Sequence, residues 1–146
     1  MNIVHITNDR REVVALDWLQ AAESVHRQLR PNLSADYVTR MQQIFASGAE
    51  MLVVTEGEDV LGVCVFRMTE KTHYGREIYC DDLITNEQKR SGGVGKLMLD
   101  TLNEMGKTRG CDYLCLDSGT QRQKAHRFYF REGLTITAFH FVKPLK

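Results

Sequence analysis

The sequence carries no surplus of charge: nineteen Lys and Arg balance nineteen Asp and Glu over 146 residues. With no global field of either sign, nothing draws the chain to nucleic acid or to an anionic membrane, and any charge-based recognition must be local. Long hydrophobic runs are missing as well, since no apolar stretch approaches the roughly 18 residues of a membrane span. The chain alternates polar and apolar residues from Asn2 to Thr7, without a basic segment leading into an apolar one, so a cytoplasmic protein is expected. Cys64, Cys80, Cys111 and Cys115 stand singly among Val, Leu and Tyr, without a CxxC pair or His at zinc spacing. They read as reduced thiols within strands, and no metal is expected.

What is present is an ordinary globular mixture, 42% hydrophobic and 26% charged. One domain spanning residues 1–146 is the expectation. Ile3–Ile6 reads as a first strand, and Asn8 and Asp9 are capping candidates for a helix starting near Arg10. Its apolar stripe, with Val13, Trp18, Leu19, Ala22 and Val25, runs to the break at Pro31. Ser34 is the expected cap of a second helix that Gly48 ends. These two helices read as core that also walls a binding pocket.

Met51–Thr55 and Val60–Met68 are β-rich runs joined by a polar four-residue hairpin segment, and Ile78–Thr85 continues the meander. A helix is expected over Gly93–Thr108, a strand over Tyr113–Leu116, a short helix over Lys124–Glu132 and a last strand over Leu134–Val142. This order predicts an α/β (α+β) fold with a mixed, mostly antiparallel sheet and about four helices.

Three segments carry chemistry. Arg90-Ser91-Gly92-Gly93-Val94-Gly95, followed by Lys96, lies between a strand and a helix. There, backbone N–H groups converge on an anion, glycines allow close approach, and Arg90 and Lys96 supply charge to a pyrophosphate. An ordinary Gly-rich turn capping a helix is the alternative. The loop is neither the G-x-G-x-x-G dinucleotide fingerprint nor a P-loop ending in Gly-Lys-Ser/Thr. The second segment is Ala125-His126-Arg127-Phe128-Tyr129-Phe130-Arg131-Glu132-Gly133-Leu134, and the third is Ile78-Tyr79-Cys80-Asp81-Asp82-Leu83-Ile84-Thr85.

The loop Arg90-x-x-Gly93-x-Gly95 after an acidic strand resembles the acetyl-CoA pyrophosphate loop of the GNAT superfamily of N-acetyltransferases. The second segment resembles that superfamily's A-x-x-F-Y-x-x-x-G-F motif. The acidic strand resembles diamine and polyamine acetyltransferases, whereas the C-terminal stretch through Phe139-His140-Phe141-Val142-Lys143-Pro144-Leu145 resembles aminoalkylphosphonate acetyltransferases. The resemblance implies a single GNAT domain whose sheet is splayed in the middle to admit the pantetheine arm.

It further implies acetyl-CoA as donor, an enzyme that transfers acetyl directly to a primary amine, and no acyl-carrying cysteine. Backbone N–H groups of Leu83, Ile84 and Thr85 would hold coenzyme and carbonyl oxygen. Tyr129 would protonate the departing thiolate, its phenol having an ordinary pKa of about 10. Tyr79 stands where many members carry Glu, which moves the base to Asp81, working through a water, or to Glu77. Asp82 would anchor the amine.

Strand neighbours point to opposite faces, so Asp81 and Asp82 share a pocket only if the strand is bulged. An edge-strand charge pair is the competing reading. Tyr129 alternatively packs as a core aromatic, and the histidines His5, His26, His73 and His140 form no ligand pattern. The expected partner is a small-molecule amine, polyamine-like or aminoalkylphosphonate-like, or a peptide amine, with a homodimer allowed. A catalytically silent acyl-CoA-binding regulatory module is the reading outside the enzyme class.

Overall fold

Two apolar runs of the sequence, Met51–Val54 and Val60–Phe66, are buried at almost every position rather than at every second one. Such continuous burial requires a strand covered on both faces, whereas a sheet with one face in water would show alternation. The computed structural model, which describes residues 1–89 and 92–146, shows that arrangement. The chain divides into two compact units, Met1–Cys115 and Leu116–Lys146.

In the first unit, β1 (Asn2–His5), β2 (Ala49–Glu56), β3 (Asp59–Lys71) and β4 (Gly75–Thr85) form a meander, each pairing antiparallel with the next. The sheet order is β1-β2-β3-β4-β5, with β5 at Tyr113–Leu116. The start of β5 meets the start of β4, where the Asp112 N–H donates to the Arg76 carbonyl at 2.7 Å. At four residues, β5 is much the shorter strand, so the C-terminal end of β4 runs on beyond it. β4 is thus paired with β3 along its length and flanked by β5 near its start.

Helices α1 (Leu16–Leu29) and α2 (Tyr37–Ala46) cover one face. Leu19, Ala22 and Val25 of α1 and Tyr37, Met41 and Phe45 of α2 join Met51, Val53, Val63, Val65 and Ile84 in one core. Each Val, Leu, Ile, Met or Phe among them, fully buried, contributes about 1.5–3 kcal/mol. Helix α3 (Val94–Thr108) covers the other face. A Cβ on Gly62 would stand 2.8 Å from Val94 and 2.9 Å from Met98, so glycine lets α3 approach β3 at that point. The buried Glu50 of β2 receives both arms of the Arg109 guanidinium, at 2.6 and 3.0 Å, tying the end of α3 to the sheet.

Both helix starts differ from expectation. Asn8 accepts from the backbone N–H groups of Arg10 and Glu12, each at 3.0 Å, and so closes a turn instead of capping a helix. With Val14 N–H bonded back to the Ile6 carbonyl at 2.8 Å, α1 begins only at Leu16. Asp36, not Ser34, caps α2, accepting from the Thr39 N–H at 3.1 Å. The Ser34 carbonyl instead accepts from Arg27.

The second unit holds α4 (Gln123–Arg131), ended by Gly133 at φ +86°. No strand forms over Leu134–Val142, contrary to the alternating pattern, and Ile136, Phe139, Phe141 and Val142 are exposed. Alternation makes a segment compatible with pairing, but a strand exists only where another strand supplies the hydrogen bonds.

Candidate active site

The pairing of β3 with β4 shifts at one point: Val65 faces Asp82, but Phe66 faces Cys80, so Asp81 is an extra residue. This is a β-bulge, and it turns the strand out of phase. Before it, Ile78 packs near Gly106 of α3 and the Cys80 sulfur lies 3.8 Å from that of Cys64. After it, Asp82 turns to α1 and Ile84 joins the α1–α2 core. Asp81 and Asp82 therefore line one cavity of about 640 Å³, walled by the end of α1, the segment from Pro31 to Ser34, and α2.

Both acids are already partnered. Nε and one terminal nitrogen of Arg67 hold Oδ2 of Asp81 at 2.9 and 2.7 Å. Asp81 Oδ1 has no partner among the described residues. Asp82 accepts from Nε2 of His26 at 2.7 Å through Oδ2 and from Nε of Arg30 at 2.8 Å through Oδ1. Burial alone would raise the Asp82 pKa, but hydrogen bonds from His26 and Arg30, together with the Arg30 charge, hold it below the usual carboxylate range. His26 itself is 1% exposed and its Nδ1 lies 2.8 Å from the Tyr37 hydroxyl. Burial, helped by the negative charges of Glu23 and Asp82, pushes the Tyr37 phenol well above its ordinary value.

Three arginines line the cavity: Arg30, Arg40 and Arg67. Arg40 donates to the Gln43 side chain at 3.2 Å, and among the described residues no carboxylate pairs with it. The alternative base, Glu77, is buried on β4 outside this cavity and accepts from the Thr69 hydroxyl at 2.9 Å. Arg30, Arg40, Arg67, His26 and Tyr37 escaped the sequence reading. Arg67 left a trace, as a lone cation at the end of a buried apolar run needs a carboxylate nearby.

At the other end of β4, Leu83, Ile84 and Thr85 form its last turn-free stretch before a short 3-10 turn at Glu87–Lys89. Helix α3 then opens on Gly93 at φ +95°, a left-handed conformation that L side chains rarely adopt. Among the described residues no side chain caps this helix and no acid occupies its first turn, so the N–H groups of Val94, Gly95 and Lys96 present a positive end. A Cβ on Gly92 or Gly93 would meet nothing within 4 Å. An uncapped helix end opening on free space fits the pyrophosphate of a coenzyme. Lys96 pairs with Asp100 at 3.0 Å, and Arg90 and Ser91 lie outside the described residues.

In the second unit Tyr129 sits half-buried on α4, its ring 5.5 Å from that of Phe128. The His126 ring hydrogen-bonds the Gly119 carbonyl at 2.8 Å, bracing the start of α4.

Comparison with known proteins agrees with this geometry. The fold is shared by the crystal structure of a ribosomal-protein-alanine N-acetyltransferase from Brucella melitensis, at a TM-score of 0.79 and 14% identity over 99% of this chain and 100% of that one. An aminoglycoside N-acetyltransferase in complex with CoA superposes at a TM-score of 0.81 and 13% identity, covering 98% and 93% of the two chains. In sequence, an uncharacterized N-acetyltransferase of Bacillus subtilis, YhdJ, is 31% identical over 132 residues, 88% of this chain and 92% of that protein. An aminoalkylphosphonate N-acetyltransferase of Salmonella typhimurium is 30% identical over 95 residues, 64% of this chain and 61% of that protein. Residues 14–133 match the acetyltransferase (GNAT) family, and with a five-stranded sheet, a bulged β4 and α3 behind it, the chain belongs to that family.

Proposed function

We propose that this N-acetyltransferase, with acetyl-CoA as donor, acylates the primary amine of a small acceptor that also carries an anionic group, an aminoalkylphosphonate-like molecule. The observation that carries this reading is the charge of the cavity: Asp81 pairs with Arg67 and Asp82 with Arg30, and among the described residues Arg40 has no carboxylate partner. A bare polycation would meet more positive than negative charge there. A phosphonate or carboxylate offers Arg40 a planar or tripodal anion of the kind guanidinium binds in a fork. The similarity to the aminoalkylphosphonate enzyme points the same way.

In this reading the donor supplies an activated acetyl thioester, and the uncapped α3 end with Gly93 and Gly95 holds its phosphates. The N–H groups of Leu83 to Thr85 orient the acetyl carbonyl. Asp82 anchors the amine. Asp81, through a water on its unpartnered Oδ1, takes the amine proton, which must leave because a lysine-like amine is mostly protonated near neutral pH. Tyr129 gives the proton of its phenolic oxygen to the departing sulfur.

The test is free-thiol release from acetyl-CoA over a panel of amines. Turnover of aminoalkylphosphonates above that of diamines without an acidic group is the expected result. Preference for spermidine-like polyamines would move the acceptor class to cations. No turnover with any amine, alongside intact acetyl-CoA binding, would leave the silent regulatory module.

A further inference from the structure

The chain from Tyr37 through His26 to Asp82 joins α2, α1 and β4 by two short hydrogen bonds at the cavity wall. His26 occupies the α1 stripe beside Leu19, Ala22 and Val25, where an apolar residue would pack without cost, yet it is 1% exposed and bonded at both nitrogens. Such full satisfaction of a buried ring fixes its orientation and its tautomer.

The bonds also assign its charge. Asp82, ion-paired with the Arg30 guanidinium through Oδ1, can only accept, so Nε2 of His26 carries a hydrogen. If Nδ1 carried one too, it would donate to the Tyr37 oxygen, and the buried Tyr37 hydroxyl hydrogen would have no acceptor among the described residues. With Nδ1 bare, the Tyr37 hydroxyl donates to it and every group is satisfied. The raised pKa of the Tyr37 phenol keeps that hydrogen in place. Other charges on the packed elements come in pairs: Glu23 with Arg27 on α1, Arg67 of β3 with Asp81 of β4, and Arg30 with Asp82 itself. Arg40 of α2 stands across the cavity with no carboxylate partner among the described residues, and the buried Cys64 thiol of β3 is held protonated.

We infer that His26 is a positioning residue for the acceptor: locked neutral by Tyr37, it orients Asp82 while leaving that carboxylate its full negative charge toward the acceptor ammonium. Arg30, half-exposed, is then the one cation on Asp82 among the described residues, and water screens it. An imidazolium in place of the neutral ring would leave Asp82 between two cations and blunt its hold on an amine. The inference deepens the reading of Asp82 as amine anchor and rests on it for its kinetic consequence. The charge state of His26 stands independently of that reading.

Two measurements separate the two. Long-range proton–nitrogen NMR of His26 at pH 7 is expected to show a neutral ring protonated on Nε2 in the parent, with a hydrogen-bonded, unprotonated Nδ1 whose shift moves in Tyr37→Phe. A cationic His26 in the parent at pH 7, or no change in Tyr37→Phe, would overturn the inference whether or not any amine is turned over. With an amine that is turned over, Tyr37→Phe should raise the acceptor KM several-fold, with kcat and the acetyl-CoA KM little changed. His26→Gln, which keeps a donor toward Asp82, should hold an acceptor KM near the parent's. An unchanged acceptor KM in Tyr37→Phe would also overturn it.

Discussion

Arg67 grips a single oxygen of Asp81 with two of its nitrogens, leaving the other oxygen of that carboxylate unpartnered among the described residues. The pair is only about a quarter exposed at either side chain, so it orients Asp81 more firmly than a surface ion pair would. Replacing Arg67 with Lys keeps the charge and removes the fork. We expect R67K to lower kcat several-fold with stability changed by about 1 kcal/mol or less. Asp81→Asn is expected to move the rise of the pH–rate profile to higher pH, since the amine must then lose its proton to bulk water. Steady-state kinetics from pH 6 to 9 checks both; profiles that overlay the parent's would make the pair structural.

Gly93 at φ +95° opens α3 with no side-chain cap. Gly93→Glu adds strain of about 1–2 kcal/mol and a negative charge at the site proposed for phosphates. Calorimetry should show acetyl-CoA binding weakened at least about a hundredfold, with the far-UV circular dichroism of the parent retained.

Tyr129→Phe keeps the ring that packs beside Phe128. Turnover is expected to fall about a hundredfold, the usual effect of losing a general acid, while coenzyme affinity stays within about twofold. Packing without catalysis would give the opposite pattern, a lower melting temperature at unchanged kcat.

The depressed pKa of Asp82 makes stability depend on pH in a defined direction. Its pKa is lower folded than unfolded, so its hydrogen bond from His26 and its ion pair with Arg30 stabilise the fold fully above the unfolded value of about 3.9 and progressively less as pH falls through the folded value. The gap in urea midpoint between the parent and Asp82→Asn should therefore be constant above about pH 5 and close below about pH 4. A gap that widened on acidification would contradict the assignment.

The sheet was largely legible because β2 and β3 combine β-branched residues with unbroken burial, and because Gly57 and Gly133 punctuate turns by composition. Helix starts were less legible: Asn8, Asp9 and Ser34 are good caps by residue type, but whether such a side chain meets a helical N–H depends on the turn around it. Leu134–Val142 alternates as a strand should, and pairing is a property of its neighbours rather than of its own residues. In the cavity, Asp81 and Asp82 stood out as adjacent acids in an apolar strand. Their partners did not, since Arg67 lies fourteen residues away, and Arg30 and His26 lie more than fifty. Side chains that meet only through tertiary packing leave no local spacing to read.

The bulge at Asp81 singles out one position of β4 where chain length can change without turning the strand over. Even-numbered residues of β4 face α3 up to Cys80 and face α1 from Asp82 onward. Deleting residue 81 would leave Cys80 opposite Phe66 followed directly by Asp82 opposite Val65, a regular ladder in which Asp82 and Ile84 still face α1. Deleting Leu83 instead would turn Ile84 out of the α1–α2 core toward α3. One-residue losses among descendants of this chain should accordingly be tolerated by the fold in the Lys71–Gly75 connection and at position 81, at the expense of the carboxylate that Arg67 holds, and be excluded from the stretch between Asp82 and Thr85.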